Sequence, residues 1–145
     1  MPLLNYTTGI DADKSAGEIS KALRKIGAQS VLTDYDPNGD FIVALTFRLN
    51  LHGNDVSFRL PCDWKPVLEI LQNDRKVPRN KCTQEQAVRV AWRIVKDWVE
   101  AQAAIIETKM VSTVQVFLPY AVMKDGQTLF ENIQAKPGML LGDGK

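Results

Sequence analysis

From Ser30 to Leu60 the hydrophobic period is two, and two turn signals cut this stretch into three pieces. Phe41, Val43, Leu45, Phe47, Leu49 and Leu51 share one face of a strand, while Ala44, Thr46, Arg48 and Asn50 take the other. Asp36-Pro37-Asn38-Gly39-Asp40 is turn chemistry: Pro presets the first turn residue, Asn tolerates the second and Gly accepts a positive φ. A three-residue loop with a bulge pairs Tyr35 with Phe41, Thr33 with Val43 and Val31 with Leu45, so the apolar faces agree. A tighter Asn38-Gly39 turn sets Asp34 against Val43 and mixes the faces. A two-residue Gly53-Asn54 turn then pairs Leu51 with Val56, Leu49 with Phe58 and Phe47 with Leu60. The reading is an antiparallel sheet with strands at 30–36, 41–51 and 55–60, whose apolar face helices must cover.

The helices announce themselves by their starts. Ser15-Ala16-Gly17-Glu18 reads as a capping box for a helix over 16–26, with Gly27 as its left-handed stop. Before it, Leu3 to Ile10 alternates loosely and suits a short edge strand. Asp63 caps a short helix carrying Trp64, Val67, Leu68 and Leu71, with Pro66 tolerated in the first turn. Thr83-Gln84-Glu85-Gln86 opens the longest element, which runs to about Lys109 without Gly or Pro. Its apolar residues, Trp92 and Trp98 among them, wrap most of its circumference, more than one sheet face can bury. Either the C-terminal segment or a second subunit must cover the rest, and the expectation is a homo-oligomer with Trp92 and Trp98 at its interface. Ser112-Thr113-Val114-Gln115 and Thr128-Leu129-Phe130-Glu131 are two further box patterns, with Pro119 and Asp125-Gly126 as breaks between them. The expected architecture is one α+β domain over 1–136 and a flexible tail over 137–145.

Composition narrows the class. With 145 residues, 45% apolar and 24% charged, the chain can bury a core, which excludes disordered, collagenous and disulfide-scaffold classes. No apolar run approaches the roughly 18 residues of a membrane helix, and Met1 to Tyr6 lacks a signal peptide's basic start, so a cytosolic protein is expected. Cys62 and Cys82, without CxxC spacing, read as reduced thiols.

Candidate chemistry is sparse. Asp34, Asp36, Asn38, Gly39 and Asp40 mimic the opening of a calcium loop, but the twelfth position is Leu45 and no helices flank it, so a hairpin explains them. His52, the single histidine, lies beside a turn, and one His with two separated Cys supplies neither a catalytic dyad nor a zinc site. Asp63 with Glu69 and Asp97 with Glu100 have helical explanations, and no glycine-rich phosphate loop is present. The reading is a protein without catalysis, metal or cofactor.

Charge is the exception. The net charge of +1 argues against a wholesale polyanion coat, yet Arg75, Lys76, Arg79, Lys81, Arg89, Arg93 and Lys96 stand against Glu85 alone, making 75–96 +6 and the remainder −5. The same pattern fits either a solvated face or an anion site made by the loop and one face of the long helix, with Arg79, Lys81, Arg89 and Arg93 as its chief members. The expected register also sets Arg48 opposite Arg59, where like charges repel unless a carboxylate or a ligand separates them. The helix-strand-strand-strand-helix order matches a double-stranded RNA binder superficially, although Asp63-Trp64-Lys65-Pro66 lacks that module's lysine cluster.

Phe58-Arg59-Leu60-Pro61, the Val90 to Gln102 run and Val116-Phe117-Leu118-Pro119-Tyr120 resemble small proteins of bacteriophages and integrated mobile elements, over most of the chain. Where such proteins tend to read Thr-Leu-Tyr-Glu, this chain has Thr128-Leu129-Phe130-Glu131. The resemblance implies a genomic setting and no chemistry. Together these readings give a binding protein in the host cytosol with an anionic partner, a nucleotide signal or nucleic acid, that counteracts host defence. The second class is an inhibitor that binds a host protein directly.

Overall fold

The computed structural model describes residues 3–141 and has an α+β fold. The elements run α1 (Ala12–Lys25), β1 (Ser30–Tyr35), β2 (Ile42–Leu51), β3 (Asn54–Arg59), α2 (Trp64–Asn73), α3 (Gln84–Glu107), α4 (Thr113–Phe117), α5 (Leu129–Ala135) and α6 (Gly138–Leu141). Two 3-10 turns join them, Arg79–Lys81 before α3 and Leu118–Tyr120 after α4. The three strands form one antiparallel sheet in the order β1-β2-β3.

Helix α1 starts a turn earlier than the Ser15 box predicts. Asp11 takes the extended cap conformation and its carbonyl accepts from the Lys14 and Ser15 N–H groups. The apolar face reaches back through Ala16 to Ala12, so burial extends the helix and turns Ser15 into the core, fully buried. The other end behaves as the sequence dictates. Gly27, at φ 108°, donates to the Arg24 carbonyl while Ala28 donates to that of Leu23, a Schellman closure.

Residues 3–10 form turns, with Asn5 at φ 66°, and not the expected edge strand. Besides their internal turn bonds they are tied to α3: the buried Gln86 amide donates to the carbonyls of Tyr6 and Thr8, both at 2.9 Å. Gln86 therefore does not reciprocate the Thr83 cap. Thr83 still accepts from the Gln86 backbone N–H and starts α3 where expected.

Both hairpins sit two residues from the predicted register. Thr33 pairs with Leu45 and Val31 with Phe47; Phe47 pairs with Phe58 and Leu49 with Val56. A slip of two keeps each side chain on its predicted face, which is why the core of Leu45, Phe47, Leu49, Phe58 and Leu60 is the expected one. The second turn is His52-Gly53, not Gly53-Asn54: both residues hold positive φ, 53° and 89°, as a two-residue hairpin turn of the favoured twist requires. At the first hairpin the register shifts between Asp34 and Tyr35, leaving Val43 as the extra residue on β2. Beyond that bulge the faces exchange, so Ile42 is buried and Val43 is exposed, the reverse of the expected alternation.

Helices α1 and α3 cover the sheet's apolar face in one core with Phe117 and Ala121, while Leu71, Val77 and Ala87 form a smaller cluster between α2 and α3. The C-terminal segment folds back onto α3 and the sheet. Phe117 stands edge-on to both Phe47 and Trp98, at 5.3 and 5.5 Å, and Trp98 meets Tyr120 at 5.7 Å. Trp92 is sealed inside the chain, its indole N–H donating to the Ile42 carbonyl at 3.1 Å, so it is no subunit interface. Of the expected tail, 138–141 is helical and 142–145 lies outside the described residues. No helix among the described residues is long and apolar enough to cross a membrane.

Candidate anion-binding surface

The cations singled out in the sequence do not converge. Arg93, on the face of α3 toward α1, is bound by the Glu18 carboxylate. That contact, above all its hydrogen bond, holds the Glu18 carboxyl below the usual carboxylate range. Lys96 sits 2.8 Å from Glu100 one turn on and 3.6 Å from Asp97, and the Glu100 hydrogen bond raises its pKa. Both cations are therefore parts of the helix packing.

Arg89 is held differently. Its Nε donates to the Gln86 side-chain oxygen at 3.0 Å, which steadies the guanidinium in the lining of a cleft of about 560 Å³. Asp11, Asp13, Asp40 and Glu85 line the same cleft, with Tyr35 and Phe41. Four carboxylates around one guanidinium make that cleft a poor host for an anion. Sequence spacing alone puts Arg89 and Arg93 on one basic face with only Glu85, one turn before Arg89, against them; Asp11, Asp13 and Asp40 come from the start of α1 and the hairpin loop, which no spacing within α3 reveals.

On the sheet, Arg48 pairs with Ser57 and Arg59 with Thr46, so the predicted Arg48–Arg59 opposition does not occur. The two-residue slip separates them. Arg48 lies 3.9 Å from Asp55, and Arg59 reaches the Gly126 carbonyl at 3.4 Å in the turn before α5. Glu131, across that turn, accepts from the Thr128 N–H in a complete capping box, which keeps its carboxyl low.

The remaining predicted cations are Arg79 and Lys81, in the turn that leads from α2 into α3. With Arg75 and Lys76 they put four positive charges within seven residues, and none makes an ion pair among the described residues. The loop is shaped from within: Asp74 accepts from the Lys76 N–H, Val77 is buried against Leu71 and Ala87, and the Cys82 thiol donates to the Leu71 carbonyl at 3.3 Å. Arg75, Lys76 and Arg79 are exposed and Lys81 half-buried, so the loop displays them to solvent.

The other candidates serve structure. Asp36 accepts from Asn38 and Phe41 N–H groups, making the calcium-like segment a self-capped hairpin loop. Asp63 caps α2 through the Lys65 N–H. His52 is the first residue of its turn. Cys62 and Cys82 are both free thiols, and burial, reinforced by Asp63, pushes the Cys62 thiol up to about 12, far from a nucleophile's range. Among the described residues no three His, Cys, Asp or Glu side chains gather as metal ligands.

A second surface went unread in the sequence. Leu118, Pro119, Leu129, Phe130, Ile133 and Leu140 line an apolar groove of about 480 Å³ between the Leu118–Tyr120 turn, α5 and α6. Phe130 is 52% exposed there, a large aromatic spent on solvent. The chain matches no protein-family model, no curated protein and no solved structure.

Proposed function

We propose that the protein is a non-enzymatic binding protein whose partner is a nucleic acid, met through its phosphates at the Arg75–Lys81 loop. The observation that carries this reading is the density of charge on that loop, four cations within seven residues with no ion pair among the described residues, whereas Arg93, Lys96 and Arg48 are each held by a carboxylate. A small nucleotide needs a concave, partly apolar pocket, whereas exposed cations on a loop suit a charged backbone laid across them. The resemblance of the Val90 to Gln102 run to phage and mobile-element proteins supports a setting in the host cytosol, where counteracting host defence is the corresponding role.

Fluorescence anisotropy with a labelled oligonucleotide tests it. Binding is expected to weaken with salt at a log–log slope of about −0.7 to −0.9 per phosphate engaged. Arg75→Glu, Lys76→Glu, Arg79→Glu and Lys81→Glu combined should abolish it, and Arg93→Gln should leave it. Equal binding by the folded quadruple variant rejects the reading. The apolar groove around Phe130 favours a second one, direct binding of a host protein. Phe130→Glu then removes the biological effect and the quadruple variant does not.

A further inference from the structure

The sheet has one covered edge and one open edge. On β3, Phe58 bridges to Ala121 and the Val122 N–H donates to the Ser57 carbonyl at 2.8 Å. Nothing among the described residues bonds the outer side of β1. In a strand, alternate N–H and C=O groups point away from the neighbour it already has, so β1 presents a row of backbone donors and acceptors to solvent. Natural edges are blunted by Lys, Pro, other charges or bulges; β1 (Ser-Val-Leu-Thr-Asp-Tyr) has neither Lys nor Pro, and its one charge, Asp34, and the register shift beside it lie toward its C-terminal end. Its central outward residue, Leu32, is 61% exposed. Along the same edge a groove of about 310 Å³ separates Val31 and Thr33 from Gly17 and Ser20 of α1. Gly17 sits inside α1, where glycine weakens a helix, yet an added Cβ would meet nothing within 4 Å. Packing within the chain therefore gives no reason for it.

We propose that β1 pairs antiparallel with β1 of a second copy about a twofold axis through Leu32, giving a continuous six-stranded sheet. Three features select a second copy over another strand. In this register Leu32 faces its own copy, Val31 faces Thr33 and Ser30 faces Asp34, so the strand's one carboxylate meets a hydroxyl and no like charges oppose. The groove beside α1 then receives the partner's Val31 and Thr33, with Gly17 and Ser20 leaving the room. Pairing also closes the assembly, because the order β3-β2-β1-β1-β2-β3 ends on both sides at the edge that Ala121 and Val122 already occupy. The interface shares no residue with the tryptophan surface of α3 and does not depend on the nucleic-acid reading.

Light scattering of the full chain over a concentration series tests it. The parent is expected at twice 16.2 kDa and Leu32→Lys at 16.2 kDa with an unchanged far-UV spectrum, because two ammonium groups would then oppose across the axis. Phe130→Lys, on the apolar groove, should remain a dimer. Leu32→Cys should form a covalent dimer on mild oxidation and Val43→Cys should not. A parent that stays monomeric, a folded Leu32→Lys that stays dimeric, or a Leu32→Cys that fails to cross-link overturns the proposal. If Leu32→Lys fails to fold, the cysteine pair decides.

Discussion

Seventy-five residues separate Glu18 from Arg93, and their ion pair decides how the basic segment is read. Because the folded carboxyl is held low, the pair contributes stability at neutral pH and loses it as pH falls through that lowered value. Glu18→Gln should therefore destabilise by about 1 kcal/mol or less at pH 7, and the difference should shrink as the pH is lowered through the carboxyl's depressed value. Thermal melts over a falling pH series measure this; a difference that does not diminish in acid would show that Glu18 acts through packing. Gln86 is the second residue whose role distance conceals. From sequence it is the reciprocal half of a capping box; in the fold its amide ties Tyr6 and Thr8 to α3 and its oxygen steadies Arg89. Gln86→Leu leaves those two carbonyls without their donor, at a cost of about 1–3 kcal/mol each where water cannot replace it. Limited proteolysis should then cut within residues 3–10 before the rest of the chain unfolds.

Local signals survive at the scale of elements where no other contact competes for the same groups. The Ser112 and Thr128 boxes form in full, and Asp63 and Thr83 cap where the spacing says they should. Ser15 fails because Asp11 competes for the same helix start and burial of α1's face favours the earlier one. The sheet is legible in its faces and not in its register, since apolar alternation repeats every two residues and cannot distinguish slips of two. What resolves the slip is His52 accepting a left-handed conformation that a reader assigns to Gly53 and Asn54. His52→Asn supplies the residue that turn prefers, so stability should hold or rise, within about 0.5 kcal/mol, in urea titrations. A marked loss would mean that the imidazole makes contacts beyond the turn. The Val43 bulge had no sequence signal of its own; Trp92, bonding the Ile42 carbonyl from α3, is what holds that end of β2.

The question at the scale of the molecule is what covers α3, and the sequence posed it correctly while leaving two answers open. The fold supplies one of them: residues after Met110 return to seat Phe117 between the sheet and α3, so the chain itself shields part of what looked like an interface. Which cations stay unpaired was illegible for the same reason, because Glu18 and the cleft's Asp11, Asp13 and Asp40 reach α3 from elements far away in sequence. If the C-terminal segment is integral to the core, Phe117 must couple both halves. Phe117→Ala removes a fully buried ring that touches Phe47 on β2 and Trp98 on α3, and should cost about 3–5 kcal/mol. Phe130→Ala, on the exposed groove, should stay within about 0.5 kcal/mol. Urea unfolding followed by tryptophan fluorescence and by far-UV circular dichroism gives both numbers. The parent's two probes should report one transition, because Trp98 and the sheet share Phe117. Separate transitions in the parent, or a Phe117→Ala variant as stable as Phe130→Ala, would mean that the returning segment docks on a core complete without it, and α3 would again need a partner to cover it.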